Sequence, residues 1–258
     1  MRLFKYIPSK RMDILANERI AFTPPGKFSD PNEMRLKLSP AAKSEFKRRL
    51  YKEEEERAER EILGYRQKSS RQRKIERKKQ TRGLNIGEIA DKSFQTAIQK
   101  ESQRMAVLCL CTEIKSNLMW DHYAEGFRGF AIEFDSDNEE FKKLGMAWKV
   151  EYVAELPAFD YSRQIPHFFR FKHESYKHEG EYRIVRPLNE CISEKDENGV
   201  ELFFRPLPRV CVKAVYLGHR MEKSVRERIL EFLKGTEAQK FEVETDQKGY
   251  ELSFREAK

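Results

Sequence analysis

The sequence predicts an α+β fold, with a mixed, mainly antiparallel central sheet and flanking helices in a single domain of residues 1–258. Predicted strands outnumber predicted helices, and they come in runs instead of alternating with helices one by one. In addition, residues 40–85 are rich in charge and poor in apolar side chains. This composition predicts a charged helical insertion or arm within the domain.

Alternating apolar and polar residues, or short apolar runs, predict the strands. The first two strands cover residues 2–6 and 19–23, and each is followed closely by proline. The apolar run AVLCLC at residues 106–111 is typical of a buried strand, and GFAIEFD at residues 129–135 alternates as a half-buried strand does. Further strands are predicted at residues 148–153, 181–186, 201–205, 210–217, 240–244 and 250–255.

Strong helix formers and apolar residues at helical spacing predict the helices. Residues 43–65 contain no proline, and Phe46 and Leu50 stand four apart. The following residues, 66–82, have almost nothing apolar to bury, so they form either a solvated helical extension or a disordered loop. Further helices are predicted at residues 9–16, 87–104, 115–125, 168–176 and 223–234.

The net charge of +8 comes from one segment. Residues 66–82 contain nine Lys or Arg and one acidic residue, and the rest of the chain is balanced. Clustered basic residues release counterions from nucleic acid, so this segment is a candidate nucleic-acid-binding surface. The alternative is a solvated charged face without a partner. The candidate binding residues are Arg71, Arg73, Lys74, Arg77, Lys78 and Lys79.

Composition also excludes several classes of protein. No stretch approaches the ~18 apolar residues of a membrane helix, and the N-terminus lacks the apolar region of a signal peptide. The four cysteines are too few and too scattered for a disulfide framework. We therefore expect a reduced, cytoplasmic protein that does not bind a membrane.

No strong catalytic motif is present, since the sequence lacks GxGxxG, GxxxxGK[ST] and HExxH. Cys109 and Cys111 stand two apart on a predicted strand, so they share one face and are expected to pack in the core. His173 and His178 are five apart, which is not the spacing of a helical metal site. We expect no bound metal.

Two segments contain more aromatic and ionisable side chains than a purely structural core requires. In SNLMWDHYAEGFRGF, residues 116–130, Trp120, His122 and Tyr123 form either an aromatic core layer or a platform for a flat ring such as a base or nicotinamide. In YKHEGEYR, residues 176–183, the side chains of Glu179, Glu181 and Arg183 would face one way on a strand.

The two glutamates should repel each other. One pKa should rise unless Arg183 or a ligand offsets the repulsion. An exposed edge would tolerate this triple without any function. In a buried cleft it would form an acid/base or oxocarbenium-stabilising site.

Several segments, taken together and in order, resemble the bacterial family of domain of unknown function 2971. They are LFKY, IAFTPPGKFSDPNEM, VLCLCTEIKSNLMWDHYAEGFRGFAIEFD, FKHESYKHEGEYRIV and VKAVYLG. The resemblance spans nearly the whole chain and is least close at about residues 40–85. The sequence departs from the family pattern at Thr23, Ser29, Cys111-Thr112 and Tyr176, where the family has Ser, Asn, Phe-Ser and Trp.

More distantly, the layout resembles NAD-dependent ADP-ribosyltransferases, especially those that modify nucleic acids. This resemblance implies NAD as the ligand. It places Lys5, where His or Arg is usual, Thr23, and Glu179 or Glu181 at the basic, hydroxyl and glutamate positions. The candidate catalytic residues are Glu179, Glu181 and His122, and the candidate NAD-binding residues are Lys5, Tyr6, Thr23, Asp30, Trp120, Tyr123 and Arg183.

The resemblance also implies a role for each group. Glu181 would stabilise the ribose, and Glu179 would orient or deprotonate the acceptor. Lys5 or Arg183 would hold the pyrophosphate, and Tyr123 or Trp120 would stack on nicotinamide. Residues 23–30 would form one wall of the site, in which Asp30 either caps the loop or binds a ribose hydroxyl.

Three functions remain open at this point. The first is a NAD-consuming toxin or phage-defence effector, with a cognate inhibitor protein as a possible partner. The second is a non-catalytic nucleic-acid-binding or scaffold protein, which predicts a solvated glutamate pair and no cleft. The third is a metal-dependent nuclease using Asp121, His122, Glu179 and Glu181, which needs two carboxylates within about 4–5 Å of a shared ion.

Overall fold

The computed structural model describes residues 1–28, 30, 32–62, 64–80, 85–159, 165–245 and 251–257, without the side chains of residues 76–80 and 165–167. The chain divides into two compact units. We call the first the sheet unit, Met1–Glu33, Ser102–Ala154 and Phe169–Lys258, and the second the helical unit, Met34–Glu101 and Glu155–Phe168. The predicted α+β class is confirmed.

The described strands are numbered in chain order. They are β1 (Arg2–Ile7), β2 (Arg19–Phe22), β3 (Lys37–Leu38), β4 (Met105–Cys111), β5 (Phe130–Asp135), β6 (Trp148–Lys149), β7 (Glu151–Val153), β8 (Ala158–Phe159), β9 (Phe171–His173), β10 (Glu181–Pro187), β11 (Ile192–Lys195), β12 (Glu201–Pro206), β13 (Val212–Leu217), β14 (Gln239–Thr245) and β15 (Leu252–Glu256).

The described helices are numbered in the same way. They are α1 (Asp13–Ala16), α2 (Pro40–Glu61), α3 (Ser70–Gln80), α4 (Ile86–Ser102), α5 (Asn117–Tyr123), α6 (Glu139–Lys142) and α7 (Lys223–Phe232). Short 3₁₀ helices lie at Ser9–Arg11, Pro25–Lys27, Tyr65–Gln67, Ile165–Arg170, Glu174–Glu179, Leu188–Glu190 and Arg209–Cys211. None of the described helices has the length and apolar character needed to cross a membrane.

The sheet unit is built on an eight-stranded sheet in the order β15-β14-β13-β5-β1-β4-β10-β6. Every neighbouring pair is antiparallel except β13 and β14, which are parallel and are connected through α7. Parallel neighbours need such a crossover connection. The predicted mixed, mainly antiparallel sheet is therefore confirmed. A second sheet of three strands, β11-β12-β2, belongs to the same unit.

The register of the sheet places candidate site residues in rows. Phe4 on β1 pairs with Cys111 on β4, which pairs with Glu181 on β10. In the next row of the same face, Cys109 pairs with Arg183. Directly paired residues on antiparallel strands project from one face, so β4 and β10 bring the two predicted charged residues to the face that carries Phe4.

Both faces of the sheet are covered by apolar side chains. Leu3 and Ile132 belong to the larger cluster, together with residues of α1 and α7. Phe4 and Ala131 belong to a second cluster that includes Trp120 of α5. This two-sided burial follows from the alternation along the strands, since neighbouring residues point to opposite faces.

The segment before β10 differs from its prediction. The expected helix at residues 168–176 is wrong, because β9 pairs in parallel with β7 and 3₁₀ helices flank it. The expected strand at residues 148–153 is divided at Val150, so that β6 pairs with β10 and β7 pairs with β9. Pairing between distant segments has overridden local helix propensity here.

The helical unit contains the predicted arm of residues 40–85 and extends beyond it. Helix α2 begins after Ser39, whose hydroxyl accepts a hydrogen bond from the Ala42 backbone at 3.0 Å, with Pro40 at the first position. A small apolar cluster around Leu38 and Ala90 holds α2 and α4 together. The basic residues 66–82 include helix α3, in agreement with the helical one of the two predicted alternatives.

Candidate active site

A cavity of about 280 Å³ lies within the sheet unit. Strands β1, β4 and β10 supply half of its lining residues, and α5 and the segment after β2 supply most of the rest. The lining residues are Phe4, Lys5, Tyr6, Thr23, Lys27, Phe28, Glu33, Cys109, Leu110, Cys111, Met119, Tyr123, Lys172, Glu179, Glu181 and Arg183. The predicted glutamate pair thus lines a cavity and is not on a solvated edge.

Three carboxylates and two cations form a buried cluster in this cavity, consisting of Glu33, Glu179, Glu181, Lys172 and Arg183. The Lys172 Nζ atom lies 2.6 Å from Glu179 Oε2, 3.0 Å from Glu181 Oε2 and 3.3 Å from Glu33 Oε1. No side chain of the five is more than 7% exposed. Charges this deeply buried have to be paired and hydrogen-bonded.

Arg183 is the second cation of the cluster, with a side chain that is 1% exposed. It donates to both oxygens of Glu181, at 2.7 and 3.0 Å, and to Glu33 Oε2 at 2.9 Å. It also donates to the backbone carbonyl of Phe169 at 3.0 Å and lies over the Phe28 ring. Paired Arg–carboxylate bonds of this kind fix orientation as well as charge.

The charge environment sets the protonation of the cluster. Burial opposes ionisation of Glu181, but the charge and hydrogen bonds of Arg183, with the charge of Lys172, lower the pKa of Glu181 to about 2. Burial raises the pKa of Glu33, and the same two cations only partly offset that effect. Burial alone would lower the pKa of Lys172, yet the surrounding carboxylates hold it above its usual value.

Two tyrosines complete the surroundings of the glutamate pair. The Tyr123 hydroxyl donates to Glu179 Oε1 at 2.8 Å, and burial together with the charge of Glu179 raises the pKa of Tyr123. The Glu181 backbone N–H donates to the Tyr152 hydroxyl at 2.8 Å. Glu179 is the last residue of a 3₁₀ helix, and Gly180 in the left-handed region (φ 53°) turns the chain into β10.

Two further lysines, Lys5 and Lys27, line the cavity outside the buried charged cluster. The Lys5 Nζ atom donates to the Cys109 carbonyl at 3.0 Å, and Lys27 donates to the Glu201 carbonyl. Among the residues that the structure describes, no carboxylate forms an ion pair with either lysine. The lining therefore holds four cations and three carboxylates, a balance that suits an anionic group of a ligand.

Of three other residues that were predicted to bind NAD, two line the cavity and one does not. Tyr6 and Thr23 line the cavity; the Tyr6 hydroxyl donates to the Glu113 carbonyl at 2.7 Å, and Thr23 pairs through its backbone with Val107. Asp30 is buried, does not line the cavity, and accepts a hydrogen bond from the Asn32 backbone at 2.8 Å, as in a capped turn.

The aromatic segment divides between core and cavity. Trp120 is completely buried, donates from Nε1 to the Ile114 carbonyl at 2.8 Å and packs against Tyr6 and Phe127, so its ring belongs to the core and does not line the cavity. His122 is exposed and is likewise outside the cavity lining. Tyr123 is the member of the predicted aromatic set that reaches the cavity.

Sequence reasoning missed Lys172 and Glu33 as site residues. It placed Lys27 and Phe28 in the predicted wall of residues 23–30 but did not single out either side chain. Lys172 lies in a segment that was predicted to be helical. That prediction did not show that its side chain would point toward β10. One signal was available, because a buried pair of carboxylates requires nearby cations. Glu33 and Lys172 both lie in segments that carry the family resemblance.

The candidate nucleic-acid-binding residues lie on α3 in the helical unit. Arg71 and Lys74 are exposed, and Arg73 is half-buried with Glu55 at 3.7 Å. The side chains of Arg77, Lys78 and Lys79 lie outside the described residues. Helix formation arranges part of the basic run on a regular scaffold but does not identify a ligand.

The nuclease hypothesis required Asp121 and His122 to join the glutamate pair. Both are exposed on α5 and neither lines the cavity. Within the described part of the chain, no group of three or more His, Cys, Asp or Glu residues has an arrangement that could hold a metal ion.

Comparison with protein-family models, with curated proteins and with solved structures gives no match to this chain.

Proposed function

We propose that the cavity binds NAD⁺ and that the protein cleaves the bond between nicotinamide and ribose, transferring ADP-ribose to an anionic acceptor or to water. The charge pattern of the cavity carries this proposal. In its charged form, the buried cluster has one carboxylate more than it has cations, whereas Lys5 and Lys27 line the same cavity without a carboxylate partner among the described residues. NAD⁺ has the complementary pattern, a cationic nicotinamide ring and an anionic diphosphate on either side of one ribose.

In the proposed reaction, the bond between the ribose C1′ atom and the nicotinamide nitrogen breaks, and both electrons go to the nitrogen. Nicotinamide leaves as a neutral molecule, and positive charge develops on the ribose, as in glycoside hydrolysis. An oxygen or nitrogen atom of the acceptor then bonds to C1′ and releases a proton, which a carboxylate accepts and passes to solvent. A carboxylate fixed beside the ribose is most effective where this charge develops.

The dimensions and ionisation of the site support this chemistry. The low pKa of Glu181 keeps one carboxylate charged throughout the neutral range. The cavity of about 280 Å³ is slightly smaller than typical ligand pockets, which span about 300–1,000 Å³. It therefore matches the part of NAD⁺ around the bond that breaks, and the adenosine would lie outside it.

Nicotinamide release and NAD⁺ binding by the purified protein test the proposal. We expect the unaltered protein to bind NAD⁺ and release nicotinamide. The double variant Glu179→Gln, Glu181→Gln should lose about 10²–10⁴-fold in kcat, the range typical of a positioned acid or base. Glu139→Gln is the matched control, because that side chain is 82% exposed on α6. Absence of NAD⁺ binding by the unaltered protein would contradict the proposal.

The alternative function is nucleic-acid binding without catalysis, and it is favoured by the exposed positions of Arg71 and Lys74 on α3. The same preparation distinguishes the two. If NAD⁺ does not bind, but nucleic acid binds with an affinity that falls steeply with salt and falls again in Arg71→Gln, Lys74→Gln, the alternative is supported. If both ligands bind, α3 becomes the candidate surface that recruits an anionic acceptor.

A further inference from the structure

The two glutamates of the pair differ in how fully the protein occupies their oxygen atoms. We infer that the side chains of Glu179 and Tyr123 contact the ligand directly. Glu181 is instead a positioning residue, which holds other side chains in place. This inference rests on the proposed NAD⁺ reaction. It keeps the acceptor-deprotonating role that the resemblance to ADP-ribosyltransferases implies for Glu179, and it replaces the ribose-stabilising role of Glu181 with a positioning role. It follows from three observations: the hydrogen bonds of each carboxylate, the exposure of their partners, and the charge near each.

Glu181 has little capacity left to accept a hydrogen bond from a ligand. A carboxylate offers about four acceptor positions. Arg183 occupies two of them through Nε and Nη2, and Lys172 occupies a third. The backbone of Glu181 is fixed as well, since its N–H donates to Tyr152.

Among the described residues, the carboxylate of Glu179 accepts fewer hydrogen bonds than that of Glu181. Its Oε1 atom accepts from the Tyr123 hydroxyl at 2.8 Å, and its Oε2 atom accepts from Lys172 at 2.6 Å. About two acceptor positions therefore remain for a ribose hydroxyl, an acceptor hydroxyl or water. No cation forms a paired, two-bond contact with Glu179 of the kind that Arg183 forms with Glu181 among the described residues.

One of the two hydrogen-bond partners of Glu179 is exposed at the surface of the protein. Tyr123 is 38% exposed, whereas Lys172 and Arg183 are both buried. A ligand that enters past Tyr123 therefore reaches Glu179 through the one exposed partner. Among the described residues, Glu33 accepts a hydrogen bond from Arg183 at 2.9 Å and forms an ion pair with Lys172 at 3.3 Å, and both of these cations are buried.

This arrangement assigns a step to each group. Glu179 accepts the proton that the attacking acceptor or water releases, and the Tyr123 hydroxyl, donating to Oε1, keeps the carboxylate turned toward the ribose. The charge of Glu181 is largely balanced by Arg183, so Glu181 holds Lys172 and Arg183 in place. Lys172 in turn holds Glu179 through its Oε2 atom.

Steady-state kinetics of nicotinamide release tests the inference, with kcat and KM measured separately for Glu179→Gln, Glu181→Gln, Glu33→Gln and Tyr123→Phe, and with Glu139→Gln as the surface control. We expect Glu179→Gln to lower kcat by about 10²-fold or more with KM nearly unchanged. Tyr123→Phe should lower kcat by about tenfold, because it removes one orienting hydrogen bond. Glu181→Gln and Glu33→Gln should each change kcat by less than about tenfold, and KM should change by a comparable factor in the same variants.

The proposed function and this inference fail in different ways. If the unaltered protein releases no nicotinamide, the proposed reaction itself is wrong and the inference falls with it. If the unaltered protein is active and Glu179→Gln retains its kcat, the inference is overturned while the proposed function stands. Glu179→Asp should recover part of the lost kcat without altering the thermal midpoint, a result that a merely structural role for Glu179 would not give. Should Glu181→Gln fail to fold, Glu179→Gln and Tyr123→Phe still decide the question.

Discussion

The two units of the protein use charge in opposite ways. In the helical unit, α2 carries ion pairs at the surface, such as Arg57 with Glu61, where both side chains are about 60% exposed. In the sheet unit, the five charged groups around Lys172 are almost completely buried. Surface pairs contribute about 0–1 kcal/mol, whereas breaking a buried pair costs about 3–5 kcal/mol. The region with the conspicuous charge in the sequence is thus the one where each charge matters least to stability.

The largest expected effect is the loss of the buried cation Arg183. Arg183→Met leaves Glu181 and Glu33 buried with one cation fewer, so we expect the free energy of unfolding to fall by about 3–5 kcal/mol. Arg57→Met, on exposed α2, should leave the free energy of unfolding nearly unchanged. Urea denaturation of both variants measures the difference. Equal losses in the two variants would remove the contrast between the units.

Acid should act next most strongly, and through the cluster. The pKa of Glu181 is lowered in the folded state, so its contribution to stability is fully present above its ordinary pKa of about 4.5 and is lost as the pH falls through about 2. At about 1.4 kcal/mol per pKa unit, the loss is about 3 kcal/mol. Unfolding free energy measured between pH 6 and pH 2 should show this dependence, and Glu181→Gln should have a flatter profile. A variant profile as steep as that of the unaltered protein would contradict the assignment.

The smallest of the three effects concerns the turn between the two glutamates. Gly180 has φ 53°, and a Cβ atom there would lie 2.8 Å from Thr112 Oγ1, so Gly180→Ala is strained by both conformation and contact. We expect a loss of about 1–2 kcal/mol in stability, with a fall in nicotinamide release because Glu179 and Glu181 flank this residue. Gly26→Ala is the matched control, since nothing lies within 4 Å of the added Cβ. A thermal midpoint and rate unchanged by Gly180→Ala would show that the turn does not set the positions of the glutamates.

Much of the fold was predictable from local pattern. Strands β1, β4, β5 and β10 lie close to their predicted positions because short alternating or apolar runs leave few other ways to bury those residues. Residues 168–176 were not predictable in the same way, because β9 exists through its pairing with β7, which is distant in sequence. Strand β11 was also missed, since all four of its residues are exposed and carry no burial pattern.

The site was predictable in part. The spacing of Glu179, Glu181 and Arg183 pointed to a common direction, and the three residues do line one cavity. The spacing could not distinguish a strand from a turn at Glu179, and it could not show that Lys172 would lie between the carboxylates. It also could not separate Trp120, which is enclosed in the core, from Tyr123, three residues later on the same helix.

The cluster is compact along the chain as well as in space. Lys172 bonds to glutamates seven and nine residues away, and Arg183 bonds to a glutamate two residues away, while the contact with Glu33 spans 150 residues. Closing short loops costs little chain entropy, so four of the five charges can assemble from one continuous peptide segment. An insertion or deletion between residues 172 and 183 would therefore displace the glutamate pair and both cations together.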